Sequence, residues 1–238
     1  MPKSGRSVFR LYTMLWAGLD FIYPPLCGGC EKRGIRWCNS CQNQTQIISS
    51  PVCTICGRPL DYEGICVECA KSQPIISAIR TWAIYEDPLR NAIRRMKYHR
   101  DISLGEVLSR NLISCLQDVN WVIDMILPVP LGKSRQKDRG YNQSALLAYP
   151  LALHTGIHYR PKVLRRIIET RTQVGLTYQQ RKENVVGAFK AESDQVANKS
   201  ILLIDDITTS GATLNECAQA LLYAGATTIY GLTLARAL

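Results

Sequence analysis

Two stretches of this 238-residue chain carry side chains in patterns suited to chemistry. The first is Ile201-Leu-Leu-Ile-Asp205-Asp206-Ile-Thr-Thr-Ser-Gly-Ala-Thr213. An apolar run of strand character passes into two carboxylates, then into small residues, a glycine and the start of a helical pattern. Small residues let a backbone wrap closely around an anion. N–H groups of such a loop and of the first helical turn lack intrahelical partners, and the helix dipole adds positive potential. Thr208, Thr209, Ser210 and Thr213 add hydroxyls. Paired carboxylates beside a phosphate cradle suit sugar hydroxyls, a divalent cation, or both. A capped helix after a polar turn explains Gly211-Ala212-Thr213, but not two acids and four hydroxyls in nine positions. The stretch has neither G-K-[ST] nor G-x-G-x-x-G, which excludes a P-loop and a dinucleotide fingerprint.

The second stretch is rich in cysteine. Eight of the ten cysteines form four C-x-x-C pairs: Cys27/Cys30, Cys38/Cys41, Cys53/Cys56 and Cys66/Cys69. Thiolates at this spacing read as two four-cysteine zinc sites. A redox C-x-x-C usually comes singly, and disulfides would need an oxidising compartment. Sequential pairing, with Cys27, Cys30, Cys38 and Cys41 in one site, is the simpler arrangement. The spacing also permits interleaved pairing. Cys115 and Cys217 fall on apolar helix faces and read as small core residues.

The 29 Lys and Arg against 19 Asp and Glu give a formal charge of +10. Each zinc with four thiolates carries −2, so two sites lower the total to about +6. Residues 1–70 hold 7 basic and 5 acidic side chains, and residues 71–238 hold 22 and 14. A polyanion should therefore meet the larger region. Its basic runs include Arg90, Arg94, Arg95, Lys97 and Arg100, then Lys133, Arg135, Lys137 and Arg139, then Arg160, Lys162, Arg165, Arg166 and Arg171. Any single run can equally be a solvated face. A hydrophobic content of 46% excludes disorder throughout. No apolar run reaches the ~18 residues of a membrane span, and Val8–Tyr23 is broken by Arg10 and Asp20, with no small-residue cleavage site after it. The expectation is a cytoplasmic protein that is not integral to a membrane.

These residues need elements to position them. Residues 8–23 suit a short amphipathic helix ended by Pro24-Pro25; packing against the rest of the protein outweighs docking on a membrane surface. Residues 26–70 are too poor in aliphatics for a core of their own, so metal must supply the folding energy. From residue 75 strand and helix patterns alternate, the mark of a parallel α/β sheet. Strands are expected at Ile79–Tyr85, Val122–Val129, Val163–Ile168 and Ile201–Ile204, with Thr228–Ala235 closing the sheet. Asp87 should cap a helix that has Pro88 at its first position. Ser103-Leu-Gly-Glu106 reads as a capping box. A helix follows from about Gln143, and Pro150 should end or kink it. Ala212–Ala224 reads as a helix with Gly225 as its C′ residue. Ligands then belong at the C-terminal end of the Ile201–Ile204 strand.

The Asp205–Thr213 stretch resembles the phosphoribosyl pyrophosphate (PRPP) signature of type I phosphoribosyltransferases. Pro128-Val-Pro130, Arg139-Gly-Tyr-Asn-Gln143, Gln173-Val-Gly-Leu176, Arg181-Lys-Glu-Asn-Val185 and Ala188-Phe189, with the zinc module after Pro24-Pro25, resemble the competence protein ComF family in the same order. The similarity covers nearly the whole chain, and the larger domain also resembles that of glutamine phosphoribosyl-pyrophosphate amidotransferase. It implies an N-terminal amphipathic segment over 1–25, a double zinc-ribbon module over 26–70 and an α/β domain over 75–238. That domain would be a type I phosphoribosyltransferase-like parallel sheet flanked by helices.

By the same resemblance, Asp205 and Asp206 are the catalytic acid pair and hold the ribose hydroxyls. Thr208, Thr209, Ser210, Gly211, Ala212 and Thr213 cradle the 5′-phosphate. Leu131, Gly132, Lys133 and Arg139 fall in or beside a pyrophosphate loop, and a mobile loop carries Arg171, Gln173 and Arg181. Mg2+ bridges pyrophosphate and ribose oxygens, and pyrophosphate leaves the anomeric carbon. The chain starts Met1-Pro2-Lys3, without the catalytic cysteine of an amidotransferase, and ends soon after the last strand. Any hood must then come from residues 1–74, and the acceptor is not legible. ComF-type proteins are implicated in DNA uptake during transformation. A PRPP-binding protein that also holds single-stranded DNA is the leading expectation, with Arg94, Arg95, Lys97, Tyr98, Arg100 and Lys137 as DNA contacts. Trp82, Tyr85 and Tyr141 offer further rings, with core packing favoured for Trp82. Two alternatives are a transferase with an unknown acceptor, and an adaptor whose ribbons dock uptake proteins at the cytoplasmic face of the inner membrane.

Overall fold

The computed structural model describes residues 3–22, 24–169 and 186–238. The apolar runs form strands β1 (Ala78–Ile84), β2 (Met125–Pro128), β3 (His158–Tyr159), β4 (Leu164–Arg166), β5 (Phe189–Ala191), β6 (Ser200–Thr208) and β7 (Thr228–Arg236). Five of them pair in parallel in the order β1-β7-β6-β2-β3. The helices are α1 (Lys3–Ile22), α2 (Asn39–Gln44), α3 (Val67–Ser72), α4 (Leu89–Tyr98), α5 (Ser103–Gln117), α6 (Lys133–Arg139), α7 (Gln143–Thr155), α8 (Ser193–Val196) and α9 (Ala212–Tyr223). Among the described residues, no helix is long and apolar enough to cross a membrane.

Alternation along the strands sorts side chains into two cores. Leu202, Ile204, Leu232 and Leu234 join Leu89, Ile93, Leu108 and Leu147 from α4, α5 and α7. Ile201, Leu203 and Ile229 face the other way, onto Leu214, Ala218 and Leu221 of α9 and Phe189 of β5. A strand covered on both sides needs an unbroken apolar run, which Ile201–Ile204 supplies. Gly225, with φ +96°, ends α9, and the N–H of Ala226 reaches back to the Leu221 carbonyl (3.0 Å).

Several elements depart from the sequence expectation. β7 is last in the chain but lies between β1 and β6, so it is an interior strand of the sheet instead of an edge that closes it. The open flank of β1 is covered by residues 46–48: Ile84 N–H donates to the Gln46 carbonyl and Ile48 N–H to the Trp82 carbonyl, each at 2.9 Å. The strand expected at Val163–Ile168 is shorter and pairs antiparallel with β5, outside the parallel sheet. Pro88 precedes α4 instead of opening it, and Asp87 gives the helix no side-chain cap but pairs with Arg90. The expected capping box does not form. Glu106 turns inward, 3% exposed, to take Arg110 (2.9 Å) and lie 3.8 Å from Arg36, while Ser103 Oγ donates to Asp101.

Pro150 sits inside α7, which continues to Thr155. Its ring is buried, and tertiary packing outweighs the lost hydrogen bond. Gly105 of α5 packs against the same turn: a Cβ there would lie 2.8 Å from the Leu146 carbonyl oxygen. α1 lies along α7, with Phe9 edge-on to His154 and Tyr12 edge-on to Tyr149.

Candidate functional site

β6 runs past its apolar core and ends on the acid pair. Asp206 is 3% exposed, and Lys97 Nζ from the end of α4 lies 2.5 Å from its Oδ2. Asp205 Oδ1 accepts from Ser144 Oγ (2.8 Å) and from the Asp206 N–H (2.9 Å). Burial pushes the Asp205 carboxyl up to about 7, and the Asp206 charge adds to that; Ser144, Lys97 and the Asp206 N–H oppose it.

After β6 the chain turns through Thr209 and Ser210 to Gly211, whose φ of +77° places it at the cap of α9. That backbone favours glycine. The Ala212 N–H donates to Ser210 Oγ (3.3 Å), and the N–H groups of the first turn of α9 open toward the same space. A second wall follows β2. Asn142 Nδ2 donates to the Val129 carbonyl (2.9 Å), and Asn142 Oδ1 caps α7 by accepting from the Ser144 N–H. Gly140, with φ +82°, ends α6, and Tyr141 Oη donates to the Met96 carbonyl (2.6 Å). The Arg139-Gly-Tyr-Asn-Gln-Ser144 run thus ties α4, β2 and α7 around one space. Arg139 lies over the Tyr98 ring, 5.3 Å from its centre.

Together these walls enclose a cavity of about 680 Å³. Of the residues singled out in the sequence, Asp205, Asp206, Thr208–Thr213, Leu131, Arg139, Lys97, Tyr98 and Arg100 line it. Gly132 and Lys133 do not; the Lys133 N–H instead donates to the Glu169 carboxylate. Arg94 and Lys137 are exposed outside the cavity. Arg95 is committed to Asp101 (3.2 Å) and Glu31 (3.0 Å). Lys97, taken from sequence as a DNA contact, sits on the acid pair. Arg171, Gln173 and Arg181 lie outside the described residues. Trp82 is buried in the core; Tyr85 lines the cavity. Sequence reasoning missed Ser144 and Arg166 as cavity residues. Ser144 directly follows the quoted Arg139–Gln143 motif, which could have flagged it; Arg166 carried no signal beyond its basic run.

The cysteines gather in the sequential pairing, Cys27/30/38/41 and Cys53/56/66/69, with all four sulfurs of each set within 4.8 Å of one another. Sγ–Sγ separations of 3.6 Å (Cys27–Cys41 and Cys30–Cys38) and 3.7 Å (Cys56–Cys66) match the ~3.8 Å edge of a tetrahedron built on ~2.3 Å zinc–sulfur bonds. Each set repeats the same backbone support. Cys38 N–H donates to Cys27 Sγ and Cys41 N–H to Cys38 Sγ, as Cys66 N–H does to Cys53 Sγ and Cys69 N–H to Cys66 Sγ. The Cys41 N–H is the main cause that lowers the Cys38 thiol to about 7. Both sets fit zinc. Cys217 is buried in the core, and burial holds the half-buried Cys115 thiol up at about 12, in keeping with inert packing roles.

Comparison with known proteins adds the family. The double zinc ribbon domain model matches residues 18–70. Competence protein F of Haemophilus influenzae is 33% identical over 220 residues, covering 89% of this chain and 90% of that one. DNA utilization protein YhgH of Escherichia coli K12 is 31% identical, covering 90% and 98%. Competence protein ComFC of Bacillus subtilis is 28% identical, covering 84% and 83%. A solved adenine phosphoribosyltransferase from Thermoanaerobacter pseudethanolicus aligns with 15% identity over 63% of this chain and 84% of its own, at a TM-score of 0.38. With a third of its residues shared with competence protein F over nine-tenths of both chains, and a double zinc ribbon ahead of a parallel α/β sheet, this chain belongs to the competence protein ComF family.

Proposed function

We propose that the chain acts in DNA uptake and utilisation by binding PRPP with Mg2+ in the β6 cavity and single-stranded DNA at its mouth. The observation that carries this reading is the convergence of Asp205-Asp206, the 208–213 loop with a helix N-terminus, and the cations Lys97, Arg100 and Arg139 on one cavity. The paired carboxylates suit the two ribose hydroxyls and a divalent cation. The N–H groups and hydroxyls of residues 209–213 suit the 5′-phosphate, and Arg139 with the 131–133 loop suits the pyrophosphate. For that, the Glu169 carboxylate must give up the Lys133 N–H to the incoming anion. Lys97, paired with Asp206, is the cation best placed to follow the ligand's charge.

Single-stranded DNA would meet Arg94 and Arg100, which form no ion pair among the described residues, with Tyr98 and Lys137 nearby. The relatives' names, competence protein and DNA utilization protein, support the process. The test is calorimetric titration of PRPP with Mg2+ into zinc-loaded protein, with and without single-stranded DNA, while released pyrophosphate is assayed. PRPP binding together with DNA affinity that falls steeply with salt is the expected result. Pyrophosphate release that appears only with one acceptor would favour a working transferase. Absence of PRPP binding would end the reading.

A further inference from the structure

Arg236, at the end of β7, is 1% exposed, and no carboxylate among the described residues pairs with it. A buried guanidinium without a counter-charge is costly. Its Nη1 donates to the Thr209 carbonyl (3.2 Å), in the loop that leads to α9, and its Nη2 donates to the Cys56 carbonyl. The Cys56 thiol beside that carbonyl gathers with those of Cys53, Cys66 and Cys69. These are ligand cysteines of the second zinc centre, which with four thiolates and zinc carries −2. The second ribbon and residues 209–212 also line one small cavity of about 60 Å³. Ile79 ties them further: its N–H donates to the Ile55 carbonyl (2.6 Å), and its Cδ1 packs against Gly211.

We propose that Arg236 is a positioning residue that couples the second zinc centre to the 208–213 loop, so that zinc loading and phosphate binding favour each other. The coupling rests on the phosphate reading of that loop given above. The carbonyl of Thr209 and the N–H of Ser210 belong to one planar peptide and point in opposite directions. Anchoring the carbonyl on Arg236 therefore fixes where the Ser210 N–H is presented. Loss of zinc leaves the guanidinium without its counter-charge and frees that peptide. The first centre has no such link: none of its ligands lines either cavity.

The coupling must be reciprocal, and zinc retention reads it without any assay of activity. Zinc-loaded full-length protein is challenged with EDTA and N-ethylmaleimide, with and without saturating ribose 5-phosphate. Alkylation of each cysteine is followed by peptide mass, and ribose 5-phosphate binding is measured separately by calorimetry. Ribose 5-phosphate should slow alkylation of Cys53, Cys56, Cys66 and Cys69 by at least about 5-fold and leave Cys27, Cys30, Cys38 and Cys41 unchanged. Arg236→Met should abolish the difference, and Arg236→Lys should restore part of it. If either variant fails to fold, the wild-type comparison decides alone. Binding of ribose 5-phosphate with unchanged rates, or equal slowing at both centres, overturns the coupling and leaves the phosphate reading intact. Failure of ribose 5-phosphate to bind overturns both.

Discussion

The two zinc ribbons share ligand spacing and backbone support, yet they are held to the rest of the chain in different ways. The first is seated in the core between α1, α4 and α5. Cys27, Trp37, Cys38 and Cys41 pack with Leu89, Ala92 and Leu104, and Arg36 bonds Asp20 (2.6 Å) and the Trp16 carbonyl beside Glu106. The second keeps a small apolar cluster of its own and meets the sheet through the backbone of Ile55 and Ile79 and through two arginines, Arg80 on the Thr54 carbonyl and Arg236 on the Cys56 carbonyl. Similar metal sites can therefore be placed differently, one as part of the core and one as a neighbour of residues 209–212.

The largest expected effect would break the first seat. Arg36→Met leaves Glu106 buried with one cation fewer and Asp20 without its partner, and should cost about 3–5 kcal/mol by chemical denaturation. The ribbons' glycines sharpen the contrast. At Gly57, φ is +70° and a Cβ would lie 2.5 Å from the Ile79 carbonyl oxygen, which is backbone. At Gly28 the crowding atoms are the ends of the Leu104 side chain, at 2.7 and 2.8 Å. Gly57→Ala should thus cost roughly 2 kcal/mol or more and Gly28→Ala about 1 kcal/mol, read as Tm shifts.

A smaller effect is a pH dependence at the acid pair. The native Asp205 carboxyl titrates above its unfolded value, chiefly through burial, so the folded state holds its proton longer. Its contribution to stability is complete below the usual carboxylate range and is lost as pH rises through about 7. Asp205→Asn removes that loss. Its Tm advantage over wild type should be larger at pH 8 than at pH 5, by roughly 2–4 °C for each kcal/mol recovered.

What the sequence discloses is what lies close together along the chain. The acid pair, its loop and the start of α9 are consecutive, so an apolar run meeting Asp205 and Asp206 marks the site directly. The cysteine pairs announce themselves by spacing, although only the folded chain chooses the sequential pairing. Contacts between distant residues stay hidden. Lys97 reads as one more charge in a basic run until α4 brings it to Asp206. Glu106 reads as a capping residue until Arg36, 70 positions earlier, draws it inward. Arg236 closes a strand with no local sign of burial. Pro150 obeys its neighbours in the core more than its own backbone preference.

The most direct test of the central claim is calorimetric titration of PRPP with Mg2+ into three zinc-loaded proteins: wild type, Asp205→Asn/Asp206→Asn, and Arg94→Glu. The account predicts saturable binding in wild type, its loss in the double variant, and its retention in Arg94→Glu, whose side chain lies outside the cavity. No binding in wild type, or undiminished binding in the double variant, would contradict it.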